Sequence, residues 1–140
     1  MPVANRDLKI RTRDFGLRVI RLVDALPRRK SATVIGNQLL RSATSVGANY
    51  RSACRARSRA EFVSKLNIAL EEADESLYWL ELLQAANLLP TQQLLGLIDE
   101  TNQLVAILTA STKTARQNNA KVGAKRTSAF CIPHSHLLLF

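Results

Sequence analysis

The stretch from Arg41 to Leu83, RSATSVGANYRSACRARSRAEFVSKLNIALEEADESLYWLELL, leaves the chain few choices of architecture. Its first part is made of small residues and arginines. Its second part is acidic on one face and apolar over much of the rest. Between them, Ser58-Arg59-Ala60-Glu61 reads as a capping box: the Ser58 hydroxyl accepts from the Glu61 amide, and Glu61 reaches back to the Ser58 amide. The segment predicts two packed helices joined at a capped turn. No nucleophile–base pair, metal cluster or phosphate loop interrupts it.

The flanking sequence continues the pattern. Phe15, Val19, Leu22, Val23 and Leu26 share one face of a helix over 8–26, with Arg11, Arg18 and Arg21 on the other side. Pro27 ends it, because the residue before a proline is pushed out of the α region. A second helix over 32–54 carries Ile35, Leu39, Ala43, Val46, Tyr50 and Ala53, with Ser31 or Thr33 as its cap. Gly36 and Gly47 inside this stripe each cost about 1 kcal/mol against alanine, which points to close approach of another helix. The third helix, over 59–87, repeats Phe62, Leu66, Ala69, Ala73, Leu77, Leu80 and Leu83, and Asn87 and Pro90 mark its end. The fourth starts at Pro90 with Leu94, Ile98, Val105 and Leu108 as its stripe, widened by Leu97, Leu104 and Ile107, and is expected to fray after Ala110. The expected fold class is all-α: an antiparallel up-down-up-down four-helix bundle over residues 1–118, followed by a basic tail over 119–140. In that tail His134 and His136 lack the further ligands a metal site needs.

Charge is partitioned along the chain. Residues 1–60 sum to +11, 61–112 to −7 and 113–140 to +5, for a total of +9. Unevenly charged solvated faces, an anionic partner such as nucleic acid, and a self-complementary surface joining neighbouring subunits are all compatible with it. Helix 3 adds a second pointer to assembly. Leu77, Tyr78, Trp79, Leu80, Leu82 and Leu83 run almost all the way round it, where a surface helix keeps its stripe narrow. Either all of them fill one bundle core, or part of them lies at a subunit interface; the second is the reading favoured.

Two cysteines, Cys54 and Cys131, form no motif. So helical a chain is not expected to rest on a disulfide framework, and a reducing cytoplasm is the expected location. No apolar run approaches the roughly 20 residues of a membrane span.

RSATSVGANYR and SRAEFVSKLNIALEEADESLYWLELL, with VIGNQLL before them, closely resemble the four-helix-bundle proteins linked to intervening sequences in bacterial 23S ribosomal RNA genes. The resemblance covers roughly residues 8–115, and the tail after about Ala120 departs from it. It implies a bundle that assembles as a ring, in known members a pentamer, with no established enzymatic activity. A related group serves as accessory proteins of diversity-generating retroelements, which implies nucleic acid and a reverse transcriptase as partners. Arg41, Ser42, Ser45, Asn49, Arg51, Glu72, Glu75 and Trp79 stand at recognisable family positions.

Three functional readings follow. In the first, structured RNA or other nucleic acid is bound by Arg11, Arg18, Arg21, Arg28, Arg29 and Lys30, with affinity falling as salt rises. Aromatic residues are too scarce for base stacking to dominate. In the second, the protein is a scaffold or accessory subunit without nucleic-acid binding of its own. Its subunit seam holds Arg41, Ser45, Asn49, Arg51, Arg55, Glu72, Glu75 and Trp79, with arginines of helix 2 pairing Glu72 and Glu75 of a neighbour. The third is an enzyme. Glu72 and Glu75 lie at i,i+3, but a carboxylate metal site needs further ligands, and no histidine falls in the bundle. Neither catalysis, nor a metal, nor a cofactor is expected.

Overall fold

The structure, a computed structural model, describes residues 7–121. The expectations for the tail beyond Lys121 lie outside the described residues. Within them all regular structure is helical: α1 (Leu8–Asp24), α2 (Lys30–Cys54), α3 (Arg59–Ala85) and α4 (Thr91–Lys121). α2 packs along α3, α3 along α4 and α1 along α2, with a slighter contact of α1 on α4.

Each boundary has a local cause. The Asp7 carboxylate caps α1 by accepting from the Lys9 amide at 3.1 Å. Neither Ser31 nor Thr33 caps α2. That helix starts at Lys30 without a side-chain cap, and the Thr33 hydroxyl instead donates back to the Arg29 carbonyl. Ser58 accepts from the Glu61 amide at 3.1 Å, as the capping pattern predicts. The return bond lands one residue earlier than expected, from the Arg57 amide to Glu61 Oε2 at 2.9 Å. α3 closes in a Schellman turn: Leu88 N–H donates to the Leu83 carbonyl and Asn87 N–H to the Gln84 carbonyl. Asn87 takes the left-handed conformation the turn requires (φ 53°), which asparagine tolerates better than most residues. Leu88 and Leu83 are both buried there.

Most of the predicted core is buried, but Val23, Leu26, Ile35 and Leu77 are only half-buried, and the centre moves in α4. Phe15, Val19, Leu39, Ala43, Val46, Tyr50, Phe62, Leu66, Ala69, Ala73, Leu80 and Leu83 are buried, together with Leu94, Leu97, Leu104 and Leu108. α4 does not fray after Ala110. It continues to Lys121 with Ser111, Thr112 and Ala115 buried. Small residues bring helices close at two places. Ser76 Oγ donates to Ser42 Oγ across α2 and α3 at 2.9 Å. A Cβ on Gly47 would lie 3.4 Å from the Thr12 carbonyl oxygen, and one on Gly16 would lie 3.9 Å from that of Ala43. Gly36 in turn faces Val23 and Leu26.

Cys54 is half-buried at the end of α2 and is not free. Among the described residues no helix is long and apolar enough to cross a membrane.

Candidate functional site

The charged residues singled out in the sequence divide among four places. Arg11 is buried rather than exposed. Its guanidinium grips Glu100 of α4 with two bonds, Nε to Oε1 at 2.7 Å and Nη2 to Oε2 at 3.1 Å, and also reaches Gln103 at 2.7 Å. Such a side chain is committed to the bundle, so Arg11 drops out of the phosphate-binding set.

Arg18, Arg21, Arg28, Arg29 and Lys30 are exposed over the second half of α1 and the turn into α2. The ion pairs Arg11–Glu100, Arg41–Glu72, Arg41–Glu75 and Arg57–Glu61, which tie described residues to one another, engage none of these five. Arg28, Arg29 and Lys30 sit at the start of α2, whose first turn carries no acid. The turn is therefore a compact cationic corner.

The third place is a clamp between α2 and α3. Arg41 donates to both Glu72 oxygens at 3.4 Å and to Glu75. Trp79 Nε1 donates to the same Glu75 oxygen at 3.1 Å. These bonds, first from Arg41 and then from Trp79, hold the Glu75 carboxyl below its ordinary pKa. The bond to Glu75 and the nearby Glu72 charge raise that of Arg41. Ser45 and Asn49 extend the same ridge by donating to the carbonyls of Arg41 and Ser45. The expected pairing of these arginines with a neighbour's Glu72 and Glu75 is thus met within one chain by Arg41.

Arg51 and Arg55 do not join that clamp. They turn toward α1, onto a groove between α1 and α2 of about 530 Å³. Lys9, Ile10, Arg13, Leu17 and Ile20 supply its α1 wall; Thr44, Gly47 and Ala48 complete it from α2. Sequence reasoning passed over Lys9 and Arg13. The available signal was Ile10, Leu17 and Ile20, apolar residues on the side of α1 away from the core.

Among the described residues no group of three or more His, Cys, Asp or Glu is placed to hold a metal. Ser42 is fully buried and spends its hydroxyl on the Leu39 carbonyl and Ser76. The candidate site is a set of surfaces.

Comparison with known proteins agrees with this architecture. The sequence pattern of the 23S rRNA-intervening sequence protein family matches residues 6–110. A crystal structure of a protein of unknown function from the S23 ribosomal protein family of Bacteroides thetaiotaomicron superposes with a TM-score of 0.71. It is 38% identical, over 75% of this chain and 97% of that one. No curated protein matches. With three quarters of its length inside the family pattern and the four-helix fold shared, the chain belongs to the 23S rRNA-intervening sequence protein family.

Proposed function

We propose that this protein is a non-enzymatic, self-assembling helical bundle that associates with structured RNA through a basic corner. The observation that carries the reading is the exposed group Arg18, Arg21, Arg28, Arg29 and Lys30, left out of the ion pairs that hold the bundle together. Five exposed cations over the second half of α1 and the turn into α2 suit a phosphate backbone, which demands charge and reach rather than base geometry. The family name, with its ribosomal RNA intervening sequence, is consistent with an RNA ligand. The bundle itself is proposed as antiparallel, up-down-up-down. Connections of a few residues and the facing pairs Thr12–Gly47 and Val23–Gly36 support that order. Assembly is proposed as a ring of identical copies, five being what the resemblance implies.

Filter binding of a structured RNA across a salt series tests the reading. Five phosphate contacts predict a slope of log K against log salt of about −4. Neutralising Arg28, Arg29 and Lys30 together should flatten the slope by roughly 3. Binding independent of salt, or unaffected by the triple substitution, would overturn it.

A second reading, a scaffold or accessory subunit (for instance of a reverse transcriptase) that leaves nucleic acid to its partner, draws support from the groove between α1 and α2. Exposed isoleucine and leucine there suit a protein surface better than a phosphate chain. Retention of a protein partner by a triple variant that has lost RNA would favour it.

A further inference from the structure

The groove between α1 and α2 has two unlike ends. Thr12 of α1 lies against Gly47 of α2, and Gly16 against Ala43 and Thr44. Lys9 and Arg13 therefore stand at the same end as Arg51 and Arg55, while Leu17, Ile20 and Thr44 line the other. No acidic side chain lines it, and the four cations take no part in the ion pairs among the described residues named above. Its floor is low because Gly16 and Gly47 offer backbone in place of side chains. Three of its lining residues are large apolar groups left open: Ile10 at 49%, Leu17 at 37% and Ile20 at 38% exposure. Cations alone suit an anion of any kind. Cations bordering open aliphatic groups suit a partner that presents carboxylates and an apolar anchor together.

The same chain carries such a surface. With Glu72 and Glu75 taken up by Arg41, the acids left outward on α3 are Glu71, Asp74 and Glu81. Tyr78 lies among them, 55% exposed, its ring edge-on to Trp79 with centroids 4.9 Å apart. Glu71, Asp74, Tyr78 and Glu81 are spaced i, i+3, i+7, i+10, one outward strip of helix. Ile10, Arg13, Leu17 and Ile20 on α1 repeat that spacing.

We infer that the α1–α2 groove is the docking site for the Glu71–Glu81 strip of a second copy, its carboxylates meeting Lys9, Arg13, Arg51 and Arg55 and its Tyr78 ring covering the aliphatic wall. This rests on the self-assembly proposed above and names the surfaces that would carry it. Groove and strip are different surfaces of one chain, so the contact is heterologous, and repetition closes it into a ring or extends it as a filament. Phosphate is the poorer occupant, since it would bring no apolar surface to Ile10, Leu17 and Ile20.

Two full-length variants test the inference by sedimentation velocity, with circular dichroism confirming native helicity. Lys9→Glu/Arg13→Glu/Arg51→Glu/Arg55→Glu reverses the groove. Glu71→Lys/Asp74→Lys/Glu81→Lys reverses the strip. Each alone opposes like charges and should weaken self-association by roughly a hundredfold or more. An equimolar mixture offers each reversed surface an opposite one and should recover complexes containing both chains. If each variant assembles as the wild type does, the groove is not the seam although self-assembly stands. A mixture that fails to recover overturns the seam equally. A wild type that stays at the 15.5 kDa of one chain at high concentration removes the self-assembly reading itself, and the seam with it. Should the groove variant assemble normally but lose RNA, the cations belong to phosphate and the inference is overturned. A Tyr78→Ala variant, which leaves all charges in place, should loosen assembly without changing its salt dependence.

Discussion

Arg11 of α1 and Glu100 of α4 face each other inside the bundle as a two-pronged ion pair, with side chains only 9% and 11% exposed. The contact of α1 on α4 is otherwise slight, so this pair does much to fix how the first helix lies on the last. Removing one partner strands a buried charge, which costs about 3–5 kcal/mol. Glu100→Ala should therefore lower unfolding free energy by about that much in urea titration. Replacing both groups, as Arg11→Met/Glu100→Leu, should return stability to within about 1 kcal/mol of wild type or above it. A double variant as unstable as the single would show that the pair is not the cause.

Trp79 is the chain's single tryptophan, and its indole donates to Glu75. Its fluorescence should therefore report that carboxylate. The Glu75 pKa is depressed in the fold. A depressed carboxylate lends stability that is full above its unfolded pKa and is lost as pH falls through the lower, folded one. Acid titration should change Trp79 emission with a midpoint below the ordinary glutamate range near 4.3. Glu75→Gln should abolish the transition. The group is partly solvated, so the accompanying change in stability should be small.

Legibility in the sequence varies by element. The stripes of α2 and α3 are legible, because Leu39, Ala43, Val46 and Tyr50, then Phe62, Leu66, Ala69 and Ala73, recur at helical spacing and point one way. The last turns of α4 are not, because burial there falls to Ser111, Thr112 and Ala115. Thr101 and Thr112 satisfy their hydroxyls on the Leu97 and Leu108 carbonyls four residues back, so they enter the core at little cost and leave no apolar signature. The burial of Arg11 escapes a sequence reading because arginine is rarely buried unless paired, and its partner lies 89 residues away. Arg41, Arg51 and Arg55 look like one seam on paper. At about 100° per residue, the ten-residue step from Arg41 carries Arg51 about 80° round the helix, and the two part company.

Ser111 marks a small defect. Its buried hydroxyl oxygen has no hydrogen-bond partner among the described residues. An unsatisfied buried polar group costs about 1–3 kcal/mol. Ser111→Ala should raise the melting temperature, with a gain of about 1 kcal/mol. A loss of stability would mean that the hydroxyl has a partner, such as an ordered water.

The glycines of α4 and α2 should respond in opposite ways to added bulk. A Cβ on Gly96 would meet only the far end of the Arg18 side chain, at 3.4 Å. Gly96→Ala should thus stabilise by about 0.5–1 kcal/mol through helix propensity. At Gly47 the neighbour is the Thr12 backbone, which cannot swing aside. Gly47→Val should cost about 1–3 kcal/mol, measurable in the same denaturant series.

Gly47 and Gly16 also bind two properties of this molecule that a designer would prefer to adjust separately. The missing side chains let α1 settle onto α2, and they are also the bed of the groove above that junction. A bulkier residue at either position would raise the bed and pry the helices apart at once. Tightness of the fold and depth of the docking surface are one variable here, so drift in one must be answered by the other.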